Sequence, residues 1–328
     1  MVAPGKGVLA ADESSGTITK RFEAIGVEST LDSRRDYRQT LLTTPGLEEF
    51  VSGVILYDET IRQSTADGVA FPKLLEGLGI LPGIKVDTGA VALPFAPGEK
   101  ITEGLDQLPA RVAEYVGLGA KFAKWRAVIT IGEDIPSTYC IEANAAALAR
   151  YASICQEGGL VPIVEPEVLM DWENDLDRCR EVTRQAHLAV FAALELHRVQ
   201  LDGMILKPNM VISGKKCPTQ ASVDEVAEAT VALLRETVPE AVPGIAFLSG
   251  GQSAEVATEH LNAMNKLGPH PWQLSFSYGR ALQDPALVAW KGESANVDAA
   301  QAALYSRSKA NSLASKGEYT ADFETAGA

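Results

Sequence analysis

The chain has 328 residues, 46% of them apolar, and a formal net charge of −14. That length suits one α/β barrel with additions, and that apolar fraction suffices for a large core. So acidic a balance excludes the basic footprint that nucleic acid or an anionic membrane surface requires, and an anionic substrate would need a local cationic pocket.

Short apolar runs that end in polar or charged residues recur along the chain. They fall at 8–13, 53–59, 83–87, 122–129, 161–167, 203–207, 244–249 and 273–279. Helix-period segments lie between them. Segment 143–157 carries Leu148, Tyr151, Ala152 and Cys155 on one face and stops at Gly158-Gly159. Segment 174–197 spaces Val182, Ala186, Ala189 and Ala193 similarly. Segment 222–235 opens with Ser222 and Glu225, a capping box, and continues with Val226, Ala229, Thr230 and Leu233. Segment 253–267 sets Ala257, Leu261 and Met264 on one face and ends at Gly268.

Nearly continuous apolar strands alternating with helices predict a parallel sheet covered on both faces. Eight such units predict an α/β fold, a single-domain (β/α)8 TIM barrel over 1–314. A doubly wound sheet is the rival, but the Gly-x-Gly-x-x-Gly fingerprint expected after its first strand is missing. Gly5-Lys6-Gly7 precedes the first strand and is not a P-loop. The small, polar stretch 315–328 reads as a mobile C-terminal tail.

Such a barrel works at the C-terminal ends of its strands, and residues two apart on a strand share a face. The inward candidates are Asp12, Lys85 with Asp87, Lys124 with Arg126, Glu165 with Glu167, Lys207, Ser249, and Ser277 before Arg280. Any one alone fits a solvated rim residue or an ion pair. Glu165-Pro166-Glu167 alone fits a turn, and Asp12-Glu13-Ser14 alone fits a helix N-cap. Their coincidence at successive strands points to acid–base chemistry, because charges so close shift one another's proton affinities. Lys207 closes the run Gly203-Met204-Ile205-Leu206 just before Pro208 and is the candidate nucleophile. A desolvated lysine loses its proton more readily, and the free amine attacks a carbonyl to form a Schiff base.

Two segments suit phosphate. In Leu248-Ser249-Gly250-Gly251-Gln252 the glycines let backbone N–H groups approach an anion, although an ordinary Gly-Gly turn reads the same. In Ser277-Tyr278-Gly279-Arg280 the arginine can grip phosphate bidentately. Loops after strands seven and eight are the habitual phosphate site of this architecture. Across the mouth, Ser14, Thr17, Lys20, Arg21 and Lys85 are placed to meet a second anion, which implies a doubly phosphorylated substrate.

His187, His197, His260 and His270 show no ligand spacing and fall at no strand end, so neither a metal centre nor another cofactor is expected. Cys140, Cys155, Cys179 and Cys217 match neither a zinc pattern nor a disulfide framework and read as incidental thiols of a reducing cytosol. Met1 to Leu9 lacks the apolar stretch of a signal peptide, and no run approaches ~18 apolar residues. A cytoplasmic protein without a membrane span is expected.

Seven collinear motifs carry a family resemblance over almost the full length. They are Leu9-Ala10-Ala11-Asp12-Glu13-Ser14, Gly83-Ile84-Lys85-Val86-Asp87, Phe122-Ala123-Lys124-Trp125-Arg126, Ile163-Val164-Glu165-Pro166-Glu167, Leu206-Lys207-Pro208-Asn209-Met210, Leu248-Ser249-Gly250-Gly251-Gln252-Ser253 and Phe276-Ser277-Tyr278-Gly279-Arg280-Ala281-Leu282. Together they resemble the class I fructose-1,6-bisphosphate aldolases. The resemblance implies that Lys207 forms an imine with the substrate ketone and that Asp12 takes the C4 hydroxyl proton. It implies Glu165 as the acid–base group of carbinolamine dehydration, with Glu167 and Lys124 assisting proton traffic. It assigns Ser249, Gly250 and Arg280 to the C1 phosphate and counts Gly279 among the substrate-binding residues. Lys85, Arg126, Ser14, Thr17 and Arg21, with Lys20, then lie along the rest of the substrate. A homotetramer is implied as well.

One departure stands out. Animal and plant members end in a tyrosine that helps proton exchange at C3, whereas this chain ends Glu324-Thr325-Ala326-Gly327-Ala328, and Tyr319 is not terminal. Either water or a resident carboxylate then serves, or the exchange is slow. Three rival readings stay open here: an aldolase acting mainly on sedoheptulose 1,7-bisphosphate, a metal-dependent barrel lyase, and a non-catalytic binding protein on the same fold.

Overall fold

The computed structural model describes residues 1–326, so the last two residues of the expected tail lie outside the described residues. The strands are β1 (Gly7–Ala11), β2 (Val51–Leu56), β3 (Leu81–Lys85), β4 (Gly89–Ala92), β5 (Lys100–Glu103), β6 (Phe122–Ile129), β7 (Val161–Val168), β8 (Ile205–Leu206), β9 (Gly244–Phe247) and β10 (Gln273–Tyr278). The helices are α1 (Ser15–Ala24), α2 (Leu31–Leu42), α3 (Asp58–Ile61), α4 (Phe71–Gly77), α5 (Leu108–Gly117), α6 (Thr138–Glu157), α7 (Leu176–Leu196), α8 (Val223–Thr237), α9 (Ala254–Lys266), α10 (Arg280–Trp290), α11 (Val297–Ala314) and α12 (Asp322–Ala326). Eight strands close into a barrel in the order β1-β10-β9-β8-β7-β6-β3-β2, all paired in parallel. This is the (β/α)8 barrel that the alternating runs predict.

The pleat explains the layering. On β6, Phe122, Lys124 and Arg126 share the inner face, while Trp125 points outward and stacks on Tyr151 of α6 at 5.5 Å. Val8, Ala10, Ile55, Phe122, Ile163, Ile205 and Ala246 pack together as the apolar floor of the barrel. Burying the Phe122 ring there contributes about 2–3 kcal/mol. Two glycines make room for it: a Cβ on Gly83 would lie 2.2 Å from the ring, and one on Gly53 would lie 2.9 Å away. Above this floor the inner rows of β1, β3, β6, β7 and β8 turn from small or apolar to charged, at Asp12, Lys85, Lys124, Glu165 and Lys207, which brings the chemistry to one end.

Outside the barrel, Phe22, Tyr37 and Trp290 form an aromatic trio with centroids 5.1–5.7 Å apart, tying α1 and α2 to α10. Phe22 lies in the last turn of α1 and Trp290 closes α10, so the contact joins the ends of these two helices.

Several expectations need correction. The run at 203–207 forms only two ladder residues, because Leu201–Gly203 takes a 3-10 turn. The end of the 53–59 run, Asp58-Glu59, opens α3 instead of extending β2. Helix α6 starts before its apolar period, where the Ser137 hydroxyl accepts from the Cys140 N–H at 3.1 Å. On α7 the buried row is Val182, Ala186, Val190 and Leu194, since the larger side chains at that spacing take the inner face from Ala189 and Ala193. The β4–β5 hairpin was not expected at all. Within the C-terminal stretch, Tyr319 is buried and its N–H donates to Asn262 Oδ1 of α9 at 3.0 Å, while Arg307 pairs with Glu324 at 2.5 Å, contacts on which no expectation was set.

Candidate active site

Lys207 follows the two-residue strand β8, and its N–H donates to Val164 O of β7 at 2.8 Å. The ladder therefore fixes its backbone at the barrel mouth. Its side chain is 5% exposed and its Nζ lies 3.2 Å from Glu165 Oε1. The other oxygen of Glu165 makes no hydrogen bond among the described residues and sits 3.5 Å from Lys124 Nζ. Lys124 Nζ in turn lies 2.7 Å from Asp12 Oδ2 and 3.9 Å from Asp87 Oδ2. A continuous charged path thus runs Lys207–Glu165–Lys124–Asp12.

The register produces this path. Lys85 stands opposite Lys124 across β3 and β6, and Arg126 stands opposite Glu165 across β6 and β7. Asp87 settles between the cations: Lys85 Nζ is 2.5 Å from Asp87 Oδ1 and also donates to Asp87 O at 2.7 Å. Arg126 Nε pairs with Glu167. Burial disfavours the charge on Lys124, but Asp12, Glu165 and Asp87 outweigh it and raise its proton affinity above the ordinary lysine range. Burial also disfavours the Asp12 carboxylate, yet Lys124, Lys207 and Lys85 hold it far below its usual range. The two residues stabilise each other as an ion pair inside the cup.

Among the described residues no group of three or more His, Cys, Asp or Glu side chains converges as metal ligands. The inner carboxylates converge on ammonium groups.

The cup widens into a cavity of about 840 Å³. Asp12, Lys85, Lys124, Arg126, Glu165, Glu167 and Lys207 line its base. Ser249, Gly250, Gly279 and Arg280 line one side, and Ser14, Thr17, Lys20 and Arg21 line another. The structure so brings together every site residue that the sequence suggested. Ser277 is inward and buried, with a hydroxyl that has no partner among the described residues. The Ser14 and Thr17 hydroxyls are 3.1 Å apart at the start of α1, and Ser14 does not use its side chain to cap that helix. Both remain available to an anion at the positive end of the helix.

Sequence reasoning missed Glu13. Its buried carboxylate accepts from Gln283 Nε2 at 2.8 Å and pairs with Arg21 at 2.8 Å and Arg38 at 2.6 Å. Burial works against its charge, but Arg38 and Arg21 prevail and keep it below the usual carboxylate range. One face of Arg21 is therefore committed to Glu13. The available signal was Arg38 itself, an arginine on the buried face of α2 beside Tyr37 and Leu41.

Comparison with known proteins agrees with this geometry. The family model described as Fructose-bisphosphate aldolase class-I matches residues 1–328. A probable fructose-bisphosphate aldolase class 1 from Xanthomonas campestris pv. campestris is 59% identical, over 97% of this chain and 96% of its own. The cytosolic fructose-bisphosphate aldolase 4 of Arabidopsis thaliana is 52% identical over 97% of this chain and 81% of its own. The solved aldolase of Plasmodium falciparum, crystallised with TRAP and a small-molecule inhibitor, superposes with a TM-score of 0.96. It is 50% identical, covering 97% of this chain and 92% of that one. On fold, cup and likeness together, the chain belongs to the class I fructose-bisphosphate aldolase family.

Proposed function

We propose that Lys207 is the amine through which this chain performs its family's reaction, the reversible cleavage of fructose 1,6-bisphosphate to dihydroxyacetone phosphate and glyceraldehyde 3-phosphate by way of a lysine Schiff base. The observation that carries this assignment is the buried Lys207 Nζ, 3.2 Å from Glu165 Oε1.

Glu165 takes a proton from Lys207, the free amine attacks the C2 ketone, and the C2 oxygen leaves as water with a proton returned by Glu165. The resulting iminium is an electron sink. Asp12 accepts the C4 hydroxyl proton, the C3–C4 bond breaks, and its electron pair moves to C3 as an enamine. Glyceraldehyde 3-phosphate departs. The enamine gains a proton at C3, and water releases dihydroxyacetone phosphate from Lys207. Lys124, held between Asp12 and Glu165, keeps Asp12 ionised until the C4 proton is ready to move. Ser249, Gly250, Gly279 and Arg280 receive the C1 phosphate. Ser14, Thr17, Lys20, Arg21 and Lys85 lie along the C6 side. Glu167 holds Arg126 at the rim.

Borohydride reduction in the presence of dihydroxyacetone phosphate, followed by peptide mass spectrometry, tests the nucleophile. The adduct is expected on Lys207, and Lys207→Met is expected to abolish cleavage. An adduct on another lysine would overturn the assignment.

We also infer a cytosolic homotetramer. The cytosolic relative supports the location. Phe95, fully exposed at the tip of the β4–β5 hairpin, and Leu196, 79% exposed, support burial of apolar surface between subunits. Light scattering should return about four times the 34.9 kDa chain mass.

A further inference from the structure

The loops after β7 and β8 are zipped together beside the turn that precedes α9. Lys215 N–H donates to Met170 O at 2.7 Å, Gly214 N–H to Asn174 O at 2.8 Å, and Lys216 N–H to Trp172 O at 3.1 Å. The approach requires glycine at 214, since a Cβ there would lie 2.1 Å from Trp172 O. The zipper fixes the backbone of Lys215. Asp171 Oδ1, 2.9 Å from Lys215 Nζ, steadies its head.

That head is aimed at Gly251. A side chain at Gly251 would meet Lys215 Nζ at 2.9 Å and Arg280 Nη2 at 3.0 Å. Two cation heads, one from the loop after β8 and one from the start of α10, therefore converge on one turn. Gly250 and Gly251 both adopt left-handed φ, +60° and +80°, and their N–H groups have no acceptor among the described residues. Like charges held beside free N–H donors favour an anion between them, and Asp171 balances only one of the two cations.

We propose that Lys215 is a second cationic grip on the C1 phosphate, working across the Gly250-Gly251 turn from Arg280, and that it helps set affinity for phosphorylated ketoses. The inference rests on the reading that Ser249, Gly250 and Arg280 receive that phosphate. Arg280 supplies a planar fork and Lys215 a point charge, so a phosphate dianion meets two positive groups of complementary geometry. The Lys215 side chain is 42% exposed, so solvent screens part of its effect.

Steady-state kinetics of the full-length protein on two substrates decide the matter: fructose 1,6-bisphosphate, and fructose 1-phosphate, which carries only the C1 group. Lys215→Met is expected to raise KM about five-fold for both, with kcat falling less than about two-fold. Arg280→Met tests the underlying reading and is expected to raise both KM values. The double variant should then show a combined factor smaller than the product of the single ones, because both grips act on one group. If Arg280→Met raises KM while Lys215→Met leaves it at the parent value, the role of Lys215 is refuted. An effect of Lys215→Met confined to the bisphosphate would place it on the C6 group and also refute the proposal, as would strictly independent effects in the double variant. If Arg280→Met leaves both KM values unchanged, the phosphate reading itself is wrong and this inference goes with it.

Discussion

Lys124 holds its ammonium nitrogen 2.7 Å from Asp12 Oδ2, inside a cup where both side chains are nearly shut off from water. Neither charge would be tolerated there alone. Paired, they store an ionised carboxylate within the cavity and keep it unprotonated far into acid.

Replacing Lys124 by Met removes the nearest partner of Asp12 and leaves its burial in place. The Asp12 carboxyl then rises toward neutral pH, since Lys124 is the leading influence that lowers it. Cleavage near neutral pH is expected to fall about a hundred-fold or more. The acid limb of the kcat/KM profile should move to higher pH, because the ionised base is lost sooner as pH falls. An acid limb that stays in place would show that Asp12 is not the group whose ionisation matters.

The apolar floor invites a packing test. Gly83→Ala drives a methyl group into Phe122, whose ring lies 2.2 Å from that position, and should destabilise the fold by about 3 kcal/mol. Combining it with Phe122→Leu should recover part of the loss, as the smaller side chain vacates the space. Urea unfolding of the three variants checks this, and losses that simply add would argue against the contact.

His187 is buried, and burial lowers its proton affinity to about 4 from an ordinary value of 6.5. Thr237 Oγ1 donates to Leu233 O, so the His187 Nδ1–H donates to Thr237 Oγ1 at 3.0 Å, and Nε2 has no partner among the described residues. Between pH 6.5 and about 4 the unfolded chain takes up a proton that the folded chain refuses. Stability from this group is therefore present above pH 6.5 and lost as pH falls, by about 3 kcal/mol at the low end. The slope of unfolding free energy against pH should shrink by about one proton in His187→Gln. His260, also lowered to about 4 by burial, and His270, lowered by burial too, keep part of the slope. An unchanged slope would mean that His187 titrates normally.

Tyr319 is fastened away from the cup, with its hydroxyl donating to Glu324 at 2.7 Å. Tyr319→Phe is expected to leave C3 hydrogen exchange of dihydroxyacetone phosphate at the parent rate and to lower stability by about 1 kcal/mol. Isotope exchange followed by NMR provides the measurement. A large drop in exchange would mean that the segment leaves its docked position to act at C3.

The barrel was legible because its strands are apolar runs with charged ends, and inward positions could be counted in twos from Phe122 to Lys124 to Arg126. Pairings across the cup were not legible. Nothing in the sequence says that Arg21 spends one face on Glu13, because that contact depends on how α1 and α2 pack against α10. The β4–β5 hairpin went unseen because its strands are short and largely exposed, with weak alternation, although Pro97-Gly98 marked a turn. The contacts of the tail were not legible for a similar reason: their partners, Arg307 and Asn262, lie on distant helices, and local composition shows only small polar residues.

Because the amine's backbone is stitched into β8 and β7, its position is independent of the loops around the rim. Those loops are then free to diverge. Rebuilding rim segments other than those that carry Asp12 and the phosphate-binding turns would change which aldehyde the cup admits while the bond-breaking step stays intact, so altered specificity in this scaffold should be sought there and not in the staves.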